Sequence, residues 1–407
     1  MLCFPENSLQ HRDSSIIIEL LRAGKHIFSK APCAYSLGKA DLMDYKREYT
    51  LKWSTVAALV VALTLAAYLL ARLFSSAGEE PLSKVIRMNV PANRELQVSG
   101  EYVYYMESGS LHCVDSSGKY VWNTGNDIDS SFRASKHGVA VWSGNSISLY
   151  DAHTGKTLAS EVMESEIISA GMGDAYAAVV LGPEHDSTVK LMDLGGKVID
   201  TLTGFSGITV MDYDFFEGRD LFWLMTMDSG GSIPTCKIST YKPGKRETGT
   251  IEDMEQVIYQ VMFRSSQIAA VGTNYLCMYD YHGNELANER KTVYGYYMYA
   301  VDKSDENPLM LFVPNSQVEG GTKISDVRMI RGNSEKIVHL PIECKQLEAK
   351  GNTLYGFSTE YLAVCPFGSI SSSLYKLPVM LDTVIGITAD KTAVVTSGGA
   401  IYLIKLP

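Results

Sequence analysis

The chain has 407 residues, 46% of them apolar and 20% charged, which is globular composition with material for a large core. Its charge is uneven: residues 1–74 carry nine Lys/Arg against six Asp/Glu, a net of +3, whereas residues 75–407 carry 27 against 40, a net of −13. An acidic globular part repels phosphate backbones and no basic stripe interleaved with aromatics relieves it, which argues against nucleic acid as a partner.

Taken from the N-terminus, Ser15 to Met43 predicts a helix, a short strand and a second helix. Its Ala23-Gly24-Lys25-His26 and the spacing to Pro32 resemble a piece of the glucose-fructose oxidoreductase-type dehydrogenases, in which AGKH ends a helix ahead of a strand and an E-K-P motif. No glycine-rich nucleotide loop precedes it, and Ala31 stands where the motif's lysine belongs, with Lys30 one place early. A fragment without its sheet cannot build that site. Residues 1–50 are therefore read as a short cytoplasmic segment whose likeness is a vestige, a mis-set start codon or chance, without dehydrogenase activity.

Trp53 to Ala71 is a run of 19 uncharged residues, interrupted only by Ser54, Thr55 and Thr64. As a helix it is roughly 28 Å long, close to the ~30 Å hydrocarbon thickness of a bilayer, so 53–74 is expected to span a membrane once. Trp53 and Tyr68 suit the two interfaces. A cleaved signal peptide fits less well, because the run begins 52 residues in. Lys46, Arg47 and Lys52 precede the run and Glu79 and Glu80 follow it, which predicts a cytoplasmic N-terminus and an extracellular remainder. Residues 75–84 read as a linker, with the flexible composition SSAGEEP over Ser75 to Pro81.

From residue 85 to 407 one pattern repeats: an apolar strand, a turn and another strand. Clear copies are SLHCVDSSGKYVW (110–122), ISLYDAHTGKTL (147–158) and VKLMDLGGKVIDTL (189–202); weaker ones begin at Cys236, Tyr275, Ile324 and Leu362. Aligning Asp115, Asp151, Asp193, Tyr241 and Asp280 gives steps of 36, 42, 48 and 39 residues, the period of propeller blades. Asp bonds to the backbone two residues on, and Gly supplies the positive φ that the turn needs. Upstream of each copy lies another strand: Val103–Met106, Val139–Trp142, Tyr176–Leu181, Leu221–Met227, Ile268–Gly272, Leu309–Val313, Leu354–Phe357 and Ala393–Thr396. Eight such strands predict an all-β, eight-bladed β-propeller, with seven blades as the alternative. The last copy holds three strands, and Lys84–Val90 is expected to supply its fourth and so close the ring.

Cys113-Val114-Asp115-Ser116-Ser117-Gly118-Lys119 with Trp122, and Leu149-Tyr150-Asp151-Ala152-His153-Thr154-Gly155-Lys156, resemble the repeat of quinoprotein-like (PQQ-like) propellers. The resemblance implies a Trp docked between blades, a role only Trp122 can fill here. The layout of a short inside segment, one span and an outside propeller is similar to uncharacterised membrane-anchored propellers of Gram-positive bacteria.

Chemistry is harder to find. Quinoprotein dehydrogenases hold their cofactor on adjacent cysteines, which are missing among Cys3, Cys33, Cys113, Cys236, Cys277, Cys344 and Cys365, as is any haem signature. The five cysteines of the repeat region read as buried free thiols, with a disulfide between two of them left open. No G-x-S-x-G elbow occurs, and His112, His153, His185 and His282 fall in or beside turns. Asp127/Asp129 and Asp212/Asp214 have the spacing that puts two carboxyls on one face of a strand, as a glycosidase or Ca²⁺ site would need, though solvated acids fit as well. Tyr294-Gly295-Tyr296-Tyr297-Met298-Tyr299 has the rings of a carbohydrate or peptide platform; Trp142, Trp223, Met225 and Met227 read as core. No catalytic residue, metal or cofactor is assigned. The expected function is a non-enzymatic binding or scaffolding module at the cell envelope, whose partner is an envelope protein or cell-surface ligand. The alternative is a glycosidase-like extracellular hydrolase with its site at the channel mouth.

Overall fold

The computed structural model describes residues 80–407 except 83, 93, 94, 217–219, 233, 254, 255, 265, 266 and 320–322, together with Thr64. The segments read as a cytoplasmic piece and as a membrane span lie outside the described residues, Thr64 excepted. Among the described residues no helix is long and apolar enough to cross a membrane.

Eight antiparallel sheets follow one another along the chain: residues 96–125 (blade 1), 131–162 (blade 2), 167–202 (blade 3), 208–253 (blade 4), 258–292 (blade 5), 296–344 (blade 6), 346–376 (blade 7) and 383–405 (blade 8). Each has four strands that pair in sequence order, and in blade 8 the fourth is Val85–Pro91. Every strand anticipated from the apolar runs is the second strand of a blade, and the count is eight. These strands are buried on both faces: Ala177 to Leu181 are buried without interruption. First strands touch their neighbours through blades 8, 1, 2, 3 and 4 and again through 6, 7 and 8, so they line the axis. Because the strands alternate in direction, first-to-second and third-to-fourth turns share one end of the ring, the hairpin face. Second-to-third turns and the crossovers between blades share the other, the crossover face.

The Asp-Gly chemistry is visible in every clear repeat. Asp115, Asp151, Asp193 and Asp280 each accept two backbone N–H bonds on Oδ1, at 2.8–3.1 Å. Gly118, Gly155, Gly196 and Gly283 complete those turns at φ between 67° and 90°. In blade 4 Tyr241 holds the Asp position, and Asp200 of blade 3 accepts the Gly244 N–H instead, at 2.5 Å.

The core is not one mass but eight apolar layers, one in each gap between blades. Trp122 is the anchor of the gap between blades 1 and 2: it is 6% exposed and donates its indole N–H to the Ala152 carbonyl at 3.0 Å. Its ring lies against Gly155, where an added Cβ would meet it at 2.5 Å, so the turn glycine of blade 2 serves packing as well as φ. Trp223 and Met225 are core, as read; Trp142 and Met227 are half-buried at its edge. Cys113, Cys236, Cys277, Cys344 and Cys365 are free and buried in these layers.

The ring is closed by strand pairing. Val85–Pro91 runs antiparallel to Ala400–Lys405, and the layer it completes joins Met88 and Val90 to Val103 of blade 1 and to Leu403 of blade 8. Glu80 and Pro81 add a short parallel strand outside blade 7, opposite Tyr375 and Lys376, and Leu82 packs on the layer between blades 7 and 8. The last part of the predicted linker is thus fixed to the sheet, because its backbone finds the otherwise unpaired edge of Ser373–Lys376.

Two outcomes follow. Deleting residues 80–91 exposes the blade 8 edge and one apolar layer, and should lower the melting temperature by on the order of 10 °C; unchanged melting by circular dichroism would show that the ring does not need this strand. Trp122→Ala should cost about 3–5 kcal/mol in denaturant unfolding, as large-to-small core substitutions do.

Candidate functional site

On the axis, at the hairpin face, lies a cavity of about 880 Å³ to which all eight blades contribute. Its wall is made by the ends of first strands and by the turns that follow them. The alternation is clearest in Gln346–Lys350, where one face meets the channel and the other an inter-blade layer: Leu347 and Ala349 are buried while Gln346, Glu348 and Lys350 are partly exposed.

Neighbouring first strands diverge away from the axis and leave backbone groups unpaired. Glutamine amides fill two of these gaps. Gln97 of blade 1 donates to the Phe132 carbonyl at 2.7 Å and accepts the Ala134 N–H at 2.9 Å in blade 2. Gln346 of blade 7 does the same to Val384 of blade 8, at 2.6 and 2.9 Å. One side chain with both a donor and an acceptor stands in for a peptide group.

The cavity wall is charged in sectors. Blade 2 contributes Arg133, Lys136 and His137; blades 3 and 4 contribute Asp174 and Asp214; blade 6 contributes Lys303, Asp305 and Glu306; blade 7 contributes Lys350. Tyr213, Phe215, Trp223 and Phe263 supply aromatic surface between them. Arg133 reaches across blade 3 to blade 4. Its Nη2 is 4.0 Å from Asp212 Oδ1 and donates to the Tyr213 carbonyl at 3.4 Å, and its guanidinium carbon lies 5.0 Å from the Tyr213 ring centroid. Gly171 of blade 3 leaves room for this crossing: a Cβ there would meet Arg133 Cδ at 3.4 Å and the Tyr213 ring at 3.5 Å. The Tyr213 hydroxyl in turn donates to Ser169 Oγ at 3.0 Å.

Blades 6 and 7 are tied at the mouth by Asp302, which is 7% exposed. It accepts from the Ser304 hydroxyl at 2.5 Å, from the Gly351 N–H at 2.8 Å and from Lys350 Nζ at 3.3 Å. Burial pushes its carboxyl up, but these donors outweigh burial and hold it below the usual carboxylate range. Asp214 goes the other way: burial pushes it up against the pull of Arg133. Glu348 sits two residues deeper than Lys350 on the same strand face, and burial, opposed only by the Gln346 amide, pushes its carboxyl up to about 7.

Of the residue groups singled out in the sequence, Asp214 lines this cavity and Asp212 adjoins it through Arg133. A bulge between Val210 and Asp212 shifts the register, so the two pair with Met225 and Trp223. Asp127 and Asp129 are exposed on the crossover between blades 1 and 2, at the other end of the ring. The tyrosine run is also at the crossover end, where Tyr297 stacks on Tyr259 with centroids 5.3 Å apart and Met298 is buried. His153, His185 and His282 are exposed and bond within or beside turns; His112 lies in a strand and stacks on Tyr105 at 4.9 Å. The cysteines have no part in the cavity wall, and burial pushes the thiols of Cys113 and Cys344 up to about 12 and that of Cys365 to about 11. Among the described residues no group of three or more His, Cys, Asp and Glu could hold a metal ion.

Compared with solved structures, the chain is similar to the computationally designed Ika8 protein at 13% identity and TM-score 0.52, over 79% of this chain and 100% of that one. It is similar to the WD40 domain of SCAP from fission yeast at 8% identity and TM-score 0.52, over 79% and 98%. It is similar to Saccharomyces cerevisiae Sqt1 at 9% identity and TM-score 0.51, over 81% and 100%. At these identities the likeness is one of fold: a β-propeller. No family model and no curated protein matches the sequence.

Glu348 makes stability depend on pH. Its proton is bound more tightly in the folded state than in the unfolded chain, where an ordinary glutamate releases it near 4.5. The cost of ionising it in place is absent below that pH and grows as pH rises to about 7, reaching on the order of 2–3 kcal/mol. Glu348→Gln should therefore stabilise the protein at pH 8 and match it near pH 4.5; equal urea midpoints for the two proteins at pH 8 would contradict this.

Proposed function

We propose that this chain is a non-enzymatic binding or scaffolding module, anchored by residues 53–74 with its propeller on the extracytoplasmic side, of the quinoprotein-like type suggested by the 110–122 and 147–158 repeats. The observation that carries the binding role is the composition of the axial mouth. Blades 2 to 7 deliver cationic, anionic and aromatic side chains from strand ends into one cavity of about 880 Å³, within the size range of ligand pockets. Such a wall suits a short polypeptide segment of an envelope protein that carries both charges and apolar side chains. Anchoring is supported by the uncharged run Trp53 to Ala71 and by the positive flank before it.

Lys303 is exposed at the rim of this cavity and is a safe position for a test. Full-length protein purified from detergent-solubilised native membranes should retain one envelope protein at stoichiometric level, and Lys303→Glu should reduce that recovery at least tenfold. Equal recovery by both, or none by either, contradicts a partner at the mouth. Protease added to intact cells should degrade the propeller; protection would reverse the topology.

A hydrolase at the same mouth is the second reading, and one observation favours it. Burial raises the Asp214 carboxyl in the cavity wall, as a general acid requires, and Asp212 lies two residues along the same strand. On that reading Asp214→Asn abolishes cleavage of glycan substrates by the purified protein, whereas on the first there is no cleavage to abolish.

A further inference from the structure

The crossover face of blades 1 to 3 differs from the hairpin face in a way that the axial mouth does not use. Ile128 is 82% exposed, Val162 72% and Ile168 42%, and the backbone beneath each is pinned. Ile128 lies over Gly109, whose carbonyl accepts the Asn126 N–H at 2.6 Å. Val162 pairs with Ser146 at the end of a strand, and the next residue donates to the Asn145 carbonyl at 2.7 Å. Ile168 lies over Gly182, whose N–H donates to the Glu166 carbonyl at 2.8 Å. These side chains are therefore held toward solvent by ordered loops.

Acids surround them. Asp127 and Asp129 flank Ile128, Glu166 lies two residues before Ile168, and Glu184 and Asp186 sit in the turn after Gly182; all are exposed. The lysine of this region, Lys190, is bonded to Glu164. On the hairpin face the same three blades expose Lys119, Lys136, Lys156 and Lys197. One sector of the ring thus has an acidic, apolar-studded end and a lysine-bearing end.

We propose that this crossover sector of blades 1–3 is a docking surface for a basic polypeptide segment with apolar side chains, separate from the axial mouth. Charge complementarity selects the occupant: an anionic bilayer is repelled, the same face of a second copy is repelled, and a lysine- or arginine-rich segment with leucine-like side chains meets both features. Rim charges of this kind set association rate and salt dependence, and the apolar centre sets residence time.

The test uses the full chain in detergent, with protein-free micelles as the blank, and a fluorescent amphipathic peptide of leucine and lysine followed by anisotropy. Ile128→Ser/Val162→Ser and, separately, Asp127→Asn/Asp129→Asn/Glu166→Gln should each weaken binding at least tenfold. Ile337→Ser, at a rim position of blade 6 that is 66% exposed, should leave it unchanged. A leucine–glutamate peptide should not bind. The proposal is overturned if all variants bind alike, if the acidic peptide binds as well as the basic one, or if the patch variants alter sedimentation of the protein alone, which would make this face a contact between copies. All substitutions are at exposed positions, and unchanged melting temperatures separate lost binding from lost folding.

Discussion

The backbone pairing of Val85–Pro91 with Ala400–Lys405 turns a row of sheets into a ring. Without it, blade 8 keeps three strands and an open edge, and the layer shared by blades 8 and 1 loses Met88 and Val90. Every blade buries its faces only against its two neighbours, so an open row would leave two apolar faces in water. Residues more than 300 positions apart are thereby made adjacent, and the two ends of the repeat region become one blade. The short strand Glu80–Pro81 on blade 7 extends the same device outward by one step.

Closure also explains why the axial cavity can be polar. The apolar demand of each sheet is met in the gaps between blades, which frees the channel side of the first strands for charge. Arg133 can then cross from blade 2 to blade 4, and Asp302 can tie two blades together through buried donors. Two glutamine amides, Gln97 and Gln346, close the first strands where backbone pairing fails. The mouth is thereby framed by side chains that bridge neighbouring blades.

Second strands were legible in the sequence because they are buried on both faces and read as unbroken apolar runs, as in Tyr176–Leu181. The Asp-Gly turns were legible because their chemistry is local. First strands were harder to read: Ser131–Ala134 alternates, with Phe132 buried and Arg133 toward the channel, but over only four residues, too few for the period to stand out. Gln346–Lys350 did carry a usable signal, the period-two pattern that places Gln346, Glu348 and Lys350 on one side. Asp212 and Asp214 were visible as a pair, but their partner Arg133 lies two blades away and no local pattern announces it. Long-range contacts of this kind are set by ring geometry, which closes only in three dimensions.

Hydrogen exchange read by mass spectrometry bears most directly on the closed ring. If the first and last segments share a blade, amides in Val85–Pro91 will exchange as slowly as those of Ala400–Lys405 and of the second strands of other blades. Exchange of 85–91 within seconds, with 400–405 unprotected along its outer side, would contradict closure by strand pairing.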